Sequence, residues 1–227
     1  MIERRTQVFH PRPPLGVTLR RSVLDSDLAA ATRELRGTVL DIGGEQKGQR
    51  GVFRPPATLA WISVNTNIGA GPSIVGDAFA LPVKDNSVDH VVMCETLEHL
   101  ADPERAVREA HRVLRVGGSF ILSVPFMARY HPDPHDYGRH TESALRLLLE
   151  KASLVNATVR SQGGYWSLVY DLAGQKLARL RFRSLARLIL SGLWWILRRR
   201  ITGEREGLSS DFERSFVTGY FVTAWKK

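Results

Sequence analysis

The residues VLDIGG at positions 39–44 form a short apolar run that contains one acid and ends in two glycines. Val and Ile favour strands, and a Gly-Gly pair predicts a tight turn directly after the strand. Similar apolar runs recur along the chain, with helical patterns between the later ones. This alternation is typical of a parallel α/β sheet. The strands that the pattern predicts are 39–42, 59–64, 73–75, 88–93, 120–124, 157–161 and 216–225.

Two helices have clear start signals. Asp102 is a suitable N-cap for a helix over Pro103–Leu114, with proline at the first helical position and Gly117 after its end. A second helix is predicted over Thr141–Lys151, since its apolar residues share one helical face. The residues on that face are Leu145, Leu148 and Leu149.

The composition places the chain among ordinary globular proteins. Its 227 residues suffice for one domain with additions or for two small domains. With 43% hydrophobic and 24% charged residues, the chain is neither disordered nor fibrous. The single cysteine, Cys94, excludes an intrachain disulfide framework. Residues 1–16 lack an apolar signal-peptide core, so we predict a cytoplasmic protein.

The net charge is concentrated in one segment. The chain has 32 Lys and Arg against 23 Asp and Glu, a formal charge of +9. Residues 172–203 contain eight of the basic residues and no acid. The central part, 37–171, carries thirteen basic and fifteen acidic residues. A slightly acidic body with one basic segment differs from a uniformly basic protein, and the segment indicates a local docking surface.

The basic segment also carries an apolar helical face, formed by Leu185, Leu188, Ile189, Trp195 and Ile196. A basic amphipathic helix with tryptophans is typical of an interfacial helix on an anionic membrane, here over 176–200. The apolar stretch 184–197 is too short to span a bilayer. A helix packed on the domain with solvated arginines is equally consistent. Nucleic-acid binding ranks last, because the charge is confined to one apolar segment.

Four further motifs follow the glycine turn in a fixed order. They are GDAFALP at 76–82, DNSVD at 85–89, CETLEHL at 94–100 and RVLRVGG at 112–118. In this order and spacing, the chain resembles the class I S-adenosylmethionine (SAM)-dependent methyltransferases. The resemblance is strong over 38–125 and loose over the closing strands. It implies SAM as methyl donor.

The resemblance also implies the architecture. It predicts a Rossmann-like α/β fold: a seven-stranded methyltransferase sheet with helices on both faces and an antiparallel last strand. We expect an N-terminal extension with a helix over 1–36, followed by the methyltransferase domain over 37–227. The basic segment then becomes a helical insertion, 167–213, before the last strand.

Carried over residue by residue, the resemblance implies a cofactor site at the carboxyl edge of the sheet. Asp41, Gly43 and Gly44 fall in the loop that receives the methionine end and ribose of SAM. Asp77 and Ala78 fall where the adenine is held, with the carboxylate accepting from the exocyclic amine. From the residues alone, Asp77 could instead cap a turn.

The chain departs from the family pattern at three points. Glu45 and Lys47 stand where the family loop has further glycines. Asn65 stands where an acid usually binds the ribose hydroxyls, and its amide lacks the charge that strengthens such bonds. Residues 45–56 contain glycines and two prolines, so the helix that normally follows the loop is predicted to be short or absent.

The segment after the fourth strand has two interpretations. The resemblance places Glu95 beside the methyl-transfer position, as a cofactor-binding residue. Glu95, Glu98 and His99 also have the i, i+3, i+4 spacing of one helical face. That spacing is similar to the divalent-metal triad of quinone-precursor O-methyltransferases. Such runs are also frequent without a metal, and we predict none here.

A histidine-rich loop, HPDPHDYGRHT at 131–141, follows the fifth strand. It is similar in part to a segment of bacterial methyltransferases associated with cell-surface sugar or lipid pathways. The acceptor is expected at this edge of the sheet. An oxygen acceptor must lose a proton, and His99, His131 and His135 are the candidate general bases. The alternative is that the loop histidines only stabilise turns.

The sequence therefore predicts a SAM-dependent methyltransferase acting on an oxygen of a small-molecule, sugar or lipid-linked acceptor, with a peripheral contact to the inner face of the membrane. One alternative is a non-catalytic or regulatory protein on the same fold, suggested by Glu45, Lys47 and Asn65. Another is an RNA methyltransferase. Neither the acceptor nor the oligomeric state can be inferred from the sequence.

Overall fold

The computed structural model describes residues 12–45, 51–207 and 209–227. These residues form two compact units. The sheet unit consists of Leu24–Gln162 and Val217–Lys227. The helical unit consists of the described residues up to Val23 together with Gly163–Phe216.

The sheet unit contains one seven-stranded sheet with the order β3-β2-β1-β4-β5-β7-β6. The first five strands of the chain run parallel, and β7 is antiparallel to both of its neighbours. The predicted fold is thereby confirmed, with strand ends that differ by a few residues. The strands are β1 Gly37–Ile42, β2 Leu59–Asn65, β3 Ile74–Val75, β4 Val88–Cys94, β5 Leu114–Pro125, β6 Leu154–Ser161 and β7 Gly219–Lys226.

Helices cover both faces of this sheet, as predicted. On one face, apolar residues of α2 (Pro103–Val113) and α3 (Glu142–Lys151) join a core with the strands. On the other face, Leu24 and Leu28 of α1 (Leu19–Thr32) pack with strand residues in a second core. Because α1 contributes to this second core from Leu24 onward, part of the predicted N-terminal extension belongs to the sheet unit.

The start of α2 follows the sequence, but its end does not. Asp102 Oδ1 accepts a hydrogen bond from the Arg105 amide at 2.9 Å, as expected of an N-cap. The helix ends at Val113, and β5 begins at the next residue. Gly117 therefore lies inside β5, with a φ of 79°, rather than in a turn between helix and strand. A register irregularity against Val88–His90 accommodates it.

The helical unit contains α4 (Tyr165–Leu177), α5 (Arg183–Glu206) and α6 (Asp211–Arg214). The predicted basic helix over 176–200 is divided between the end of α4 and α5, and α5 continues through the three consecutive arginines to Glu206. Glu204, near its end, accepts hydrogen bonds from the Gly164 amide at 3.1 Å and the Ser167 hydroxyl at 2.6 Å. It thereby satisfies free donors at the start of α4. Among the described residues, no helix is both long enough and apolar enough to cross a bilayer.

A buried carboxylate holds the start of α1 in the helical unit. Asp171 of α4 accepts from the Leu19 amide at 2.5 Å and the Arg20 amide at 3.2 Å. These are donors that a helix start leaves without internal partners. Burial raises the pKa of Asp171 to about 6, although the two amides lower it. Asp171 therefore contributes to the attachment of α1 to α4.

The helix α5 has two apolar faces. One is buried in the core of the helical unit, where Leu190 and Leu197 join Tyr170, and the Trp194 ring lies 5.4 Å from the Tyr170 ring. The other is the apolar face that the sequence analysis identified, and it is solvent-exposed. We call this second face, together with the preceding Phe182, the exposed stripe. Its residues are Phe182, Leu185, Leu188, Ile189, Trp195 and Ile196, which are between 45% and 71% exposed.

Candidate cofactor and acceptor site

The turn after β1 leaves no space for side chains at its two glycines. The Gly43 amide donates to the Val64 carbonyl at 2.8 Å, and Gly43 has a φ of 75°. A Cβ atom on Gly43 would lie 2.2 Å from Thr96 Oγ1. Because the turn follows Ile42, the last residue of β1, its backbone lies at the carboxyl edge of the sheet, where parallel α/β sheets bind their ligands.

Asp41 supports this turn from inside the sheet. Its side chain is buried, and Oδ2 accepts from the Trp61 indole at 3.1 Å. A Cβ atom on Gly44 would lie 2.4 Å from the same oxygen. The acid and both glycines of the motif are thus parts of one packed turn. Glu45 is exposed, and Lys47 lies outside the described residues.

Asn65 holds the turn against the end of β2. Its Nδ2 donates to the carbonyls of Gly43 and Gly44, each at 3.3 Å, and its Oδ1 accepts from the Asn67 amide at 2.9 Å. The amide thus makes bonds that a carboxylate could not, because a carboxylate has no donor. Its contact with a ribose remains a prediction. In the described part of 45–56, residues 51–56 form no helix.

The predicted adenine loop begins beside Asn65. The Gly76 amide donates to the Asn65 carbonyl at 3.1 Å, which places this loop next to the glycine turn. Asp77 is exposed, and its Oδ1 accepts from the Phe79 amide at 2.9 Å. Asp77 is therefore a turn-capping residue. The bond uses one of its two carboxylate oxygens, and binding of an exocyclic amine remains a prediction. Ala78 is buried.

Glu95 directly follows β4 and has a strained backbone conformation. Its φ of 54° is uncommon for a residue with a side chain, and such residues cluster at ligand sites. The Glu95 amide donates to the Ser123 carbonyl at 2.9 Å, and Glu95 Oε1 accepts from the Ser123 hydroxyl at 2.9 Å. Its position at the end of β4 matches the predicted one. Its contact with the cofactor remains a prediction.

Behind Glu95 lies a chain of buried polar side chains that no sequence motif indicates. The Ser123 hydroxyl lies 3.2 Å from Gln162 Oε1, and Gln162 Nε2 donates to Asp27 Oδ2 at 3.0 Å. Asp27 also pairs with Arg160 at 2.9 Å. Asp27 and Gln162 are 135 positions apart, and neither lies in a recognisable motif. The Ser123 hydroxyl, which has one hydrogen, thus lies between the acceptor oxygens of Glu95 and Gln162.

The histidine-rich loop is fastened to the end of β4. The Tyr137 amide donates to the Glu98 carbonyl at 2.8 Å, and the His99 ring nitrogen Nδ1 lies 2.6 Å from the His135 carbonyl. These contacts bring His131 edge-to-face with His99, with ring centroids 5.3 Å apart. The His135 side chain is exposed and lies against Tyr137 instead.

The two histidines share a buried carboxylate. Glu98 is fully buried, and neither of its carboxylate oxygens has a hydrogen-bond partner among the described residues. Its Oε1 lies 3.8 Å from His99 Nε2 and 3.7 Å from His131 Nε2. The Glu98 carboxylate raises the pKa of His131, assisted by the Arg129 carbonyl and Asp136.

Asp136 anchors the loop from the other side. It pairs with Arg139, which lowers the pKa of Asp136, and Asp136 Oδ2 also accepts from the His131 amide at 3.0 Å. Of the three histidines proposed as bases, the structure therefore brings together His99 and His131. It places Glu98 between them, and it leaves the His135 side chain apart.

Part of the chain is similar in sequence to known methyltransferases. Residues 57–122 match a family model described as a methyltransferase domain. A probable SAM-dependent methyltransferase of Mycolicibacterium smegmatis is 44% identical over 57 residues, which are 25% of this chain and 22% of that protein. The chloroplastic 2-methyl-6-phytyl-1,4-hydroquinone methyltransferase of Arabidopsis thaliana is 40% identical over 52 residues, or 23% of this chain and 15% of that one.

Solved structures extend the match to the whole fold. The phosphoethanolamine N-methyltransferase 2 of Haemonchus contortus, solved in complex with SAM, superposes with a TM-score of 0.58 at 15% identity. The superposition covers 89% of this chain and 52% of that one. The matched segments span less than a quarter of the first curated relatives, 17% and 22% of their lengths. Residues 57–122 are therefore similar to a methyltransferase domain, and the chain shares its fold with this solved SAM-binding methyltransferase.

Proposed function

We propose that this chain binds SAM and transfers its methyl group to a small-molecule acceptor. The observation that carries the proposal is the packed turn at Asp41–Gly44, where backbone replaces side chains at the carboxyl edge of the sheet. It lies next to the Asp77 loop through Asn65. The domain match over 57–122 and the SAM-dependent relatives support the same cofactor.

The acceptor atom in this proposal is an oxygen. Methyl transfer is an in-line displacement, so the protein's main task is to align donor and acceptor. An oxygen acceptor must also lose a proton. Glu98, His99 and His131 are three titratable groups that the structure gathers near the end of β4, close to Glu95. We assign the handling of that proton to this cluster.

We favour a lipid-linked acceptor that is methylated at a membrane surface. The exposed stripe of α5 is bordered by basic residues, and 172–203 has no acid. Apolar side chains beside arginines match an anionic lipid surface in both polarity and charge. The relative from Arabidopsis thaliana has a phytyl-bearing substrate in its name. We therefore propose peripheral docking at the inner face of the cytoplasmic membrane.

The adenine assignment is tested by Asp77→Ala. If the free oxygen of Asp77 accepts from the exocyclic amine of SAM, we expect the substitution to weaken SAM binding about tenfold, the usual cost of a hydrogen bond to a charged group. The measurement is calorimetric titration with SAM. Asp85→Ala is the control, because Asp85 is an exposed acid of the same unit that pairs with Arg112. Equal SAM affinity in wild type and Asp77→Ala would show that the adenine lies elsewhere.

The acceptor is tested by methyl incorporation from radiolabelled SAM. The proposal predicts label in a hydroxylated, lipid-linked or small aromatic acceptor, released by treatments that cleave methyl ethers or esters. Label in RNA would support the RNA methyltransferase alternative. Tight SAM binding without transfer to any acceptor class would favour the regulatory alternative.

A further inference from the structure

We propose that Glu98, His99 and His131 form a binding site for a divalent transition-metal ion of the Zn²⁺ type. One donor atom of each side chain lies within 4.8 Å of the other two. The three residues come from the end of β4 and from the histidine-rich loop. This set differs from the sequence triad, because Glu95 is turned to Ser123 and His131 takes its place.

Hydrogen bonds to the backbone fix which nitrogen of each ring faces the cluster. His99 Nδ1 lies 2.6 Å from the His135 carbonyl, and His131 Nδ1 lies 2.9 Å from the Arg129 carbonyl, its nearest polar partner. A carbonyl only accepts, so both Nδ1 atoms carry the hydrogen. In the neutral rings, both Nε2 atoms therefore present lone pairs.

These lone pairs point to an atom that is itself an acceptor. Both Nε2 atoms face Oε1 of Glu98, and a carboxylate oxygen is an acceptor. Glu98 is fully buried, and both its oxygens lack a hydrogen-bond partner among residues 12–45, 51–207 and 209–227. A buried carboxylate without a partner is strongly unfavourable. A cation between the three acceptors would stabilise all of them.

The distances fit a metal ion better than a shared proton. A direct hydrogen bond between nitrogen and carboxylate has a length of about 2.7–2.9 Å. The observed separations are 3.7 and 3.8 Å. Zn²⁺ binds nitrogen and oxygen at about 2.0–2.2 Å, so its tetrahedral ligands lie roughly 3.3–3.6 Å from one another. The two separations from Glu98 therefore exceed this range by only a few tenths of an ångström, and the two histidine nitrogens, which lie within 4.8 Å of each other, would move together on binding.

The ligand set identifies the class of ion. Two imidazoles and one carboxylate suit Zn²⁺ and related transition ions, whereas Mg²⁺ and Ca²⁺ prefer oxygen ligands. The carbonyls of His135 and Arg129 orient the rings, as outer partners of metal ligands do. Three protein ligands leave a position open. A role in catalysis rests on the proposed function: an acceptor oxygen bound at the open position would lose its proton more readily.

The site is tested by metal titration of the full chain after treatment with a chelator. We expect one equivalent of Zn²⁺ to bind, Co²⁺ to give the visible absorption of a four-coordinate ion, and Mg²⁺ not to compete. Glu98→Gln and His131→Gln should each weaken Zn²⁺ binding about 100-fold. His131 is part-exposed, so its replacement should leave the fold intact, and circular dichroism verifies this for both variants.

His135→Ala is the matched control, since His135 lies in the same loop but contributes only its carbonyl. Its Zn²⁺ affinity should equal that of the wild type. No Zn²⁺ binding, or equal binding by wild type and His131→Gln, would overturn the proposal. SAM titration of the same samples separates the two proposals: SAM binding without Zn²⁺ binding refutes the metal site alone, and the reverse refutes the cofactor site alone.

Discussion

Gly43→Ala is expected to destabilise the sheet unit by about 3 kcal/mol and to abolish measurable SAM binding. A side chain at a φ of 75° costs about 1–2 kcal/mol in backbone strain. The added Cβ atom would also lie 2.2 Å from Oγ1 of Thr96, which is buried and bonded to the Ile42 and Cys94 carbonyls. Overpacking of this kind costs a further 1–3 kcal/mol, by rough analogy with other cores.

Gly117→Ala separates the two causes. Gly117 has a similar φ of 79°, but nothing lies within 4 Å of its Cβ position. It should therefore show the backbone strain without the steric clash and retain SAM binding. Both variants are measured by urea unfolding and by calorimetry with SAM. If Gly43→Ala bound SAM like the wild type, the turn at 41–44 would not be the cofactor site.

Combined replacement of Trp195 and Ile196 by Ala is expected to reduce binding to anionic liposomes about 100-fold. Both side chains lie on the exposed stripe, 70% and 66% exposed, and so make little contribution to the core. Burial of a large apolar side chain contributes about 1.5–3 kcal/mol, and the pair should contribute about 3 kcal/mol at a membrane interface. Co-sedimentation with vesicles that contain an anionic phospholipid measures the effect.

Leu172→Ala is the control for this experiment. Leu172 is 57% exposed on α4 of the same helical unit, but it is not part of the stripe. Its replacement should leave liposome binding unchanged. Added salt should weaken binding of the wild type, because arginines contribute to it. Wild-type protein that stays in the supernatant at low salt, or that binds RNA instead, would contradict the membrane proposal.

The fold was predictable because local signals agree with the final structure. Each of these signals is local: the turn at Gly43–Gly44, the cap at Asp102 and every apolar run involve only a few neighbouring residues. The end of α2 was predicted less well. The sequence predicts that Gly117 follows the end of the helix. In the structure, pairing of β5 with β4 extends the strand back to Leu114. Long-range sheet pairing, which no local pattern contains, decides that boundary.

The site was predictable only in part. The resemblance identified the glycine turn and the loop predicted to hold the adenine, because both are continuous in sequence. The meeting of Glu98 with His131 depends on a loop that returns across 33 positions, and Asp27 of α1 reaches Gln162, which follows β6. These contacts are set by tertiary packing. Residue types alone gave no signal for them.

The apolar faces of α5 could be predicted from the sequence, but their packing partners could not. The sequence shows apolar residues on nearly all sides of the helix over 190–197. It cannot reveal which face packs within the unit. The structure buries Leu190 and Leu197 and leaves Leu188 and Trp195 exposed. An amphipathic pattern identifies apolar faces but not their partners, because partners are decided by the other elements of the fold.

Calorimetric titration of the folded wild-type chain with SAM tests the central claim most directly. The account predicts saturable binding at one site, with a dissociation constant in the micromolar range, roughly −8 kcal/mol. S-adenosylhomocysteine should compete for the same site. Absence of heat and of competition at millimolar ligand, in protein whose circular dichroism shows it folded, would contradict the account.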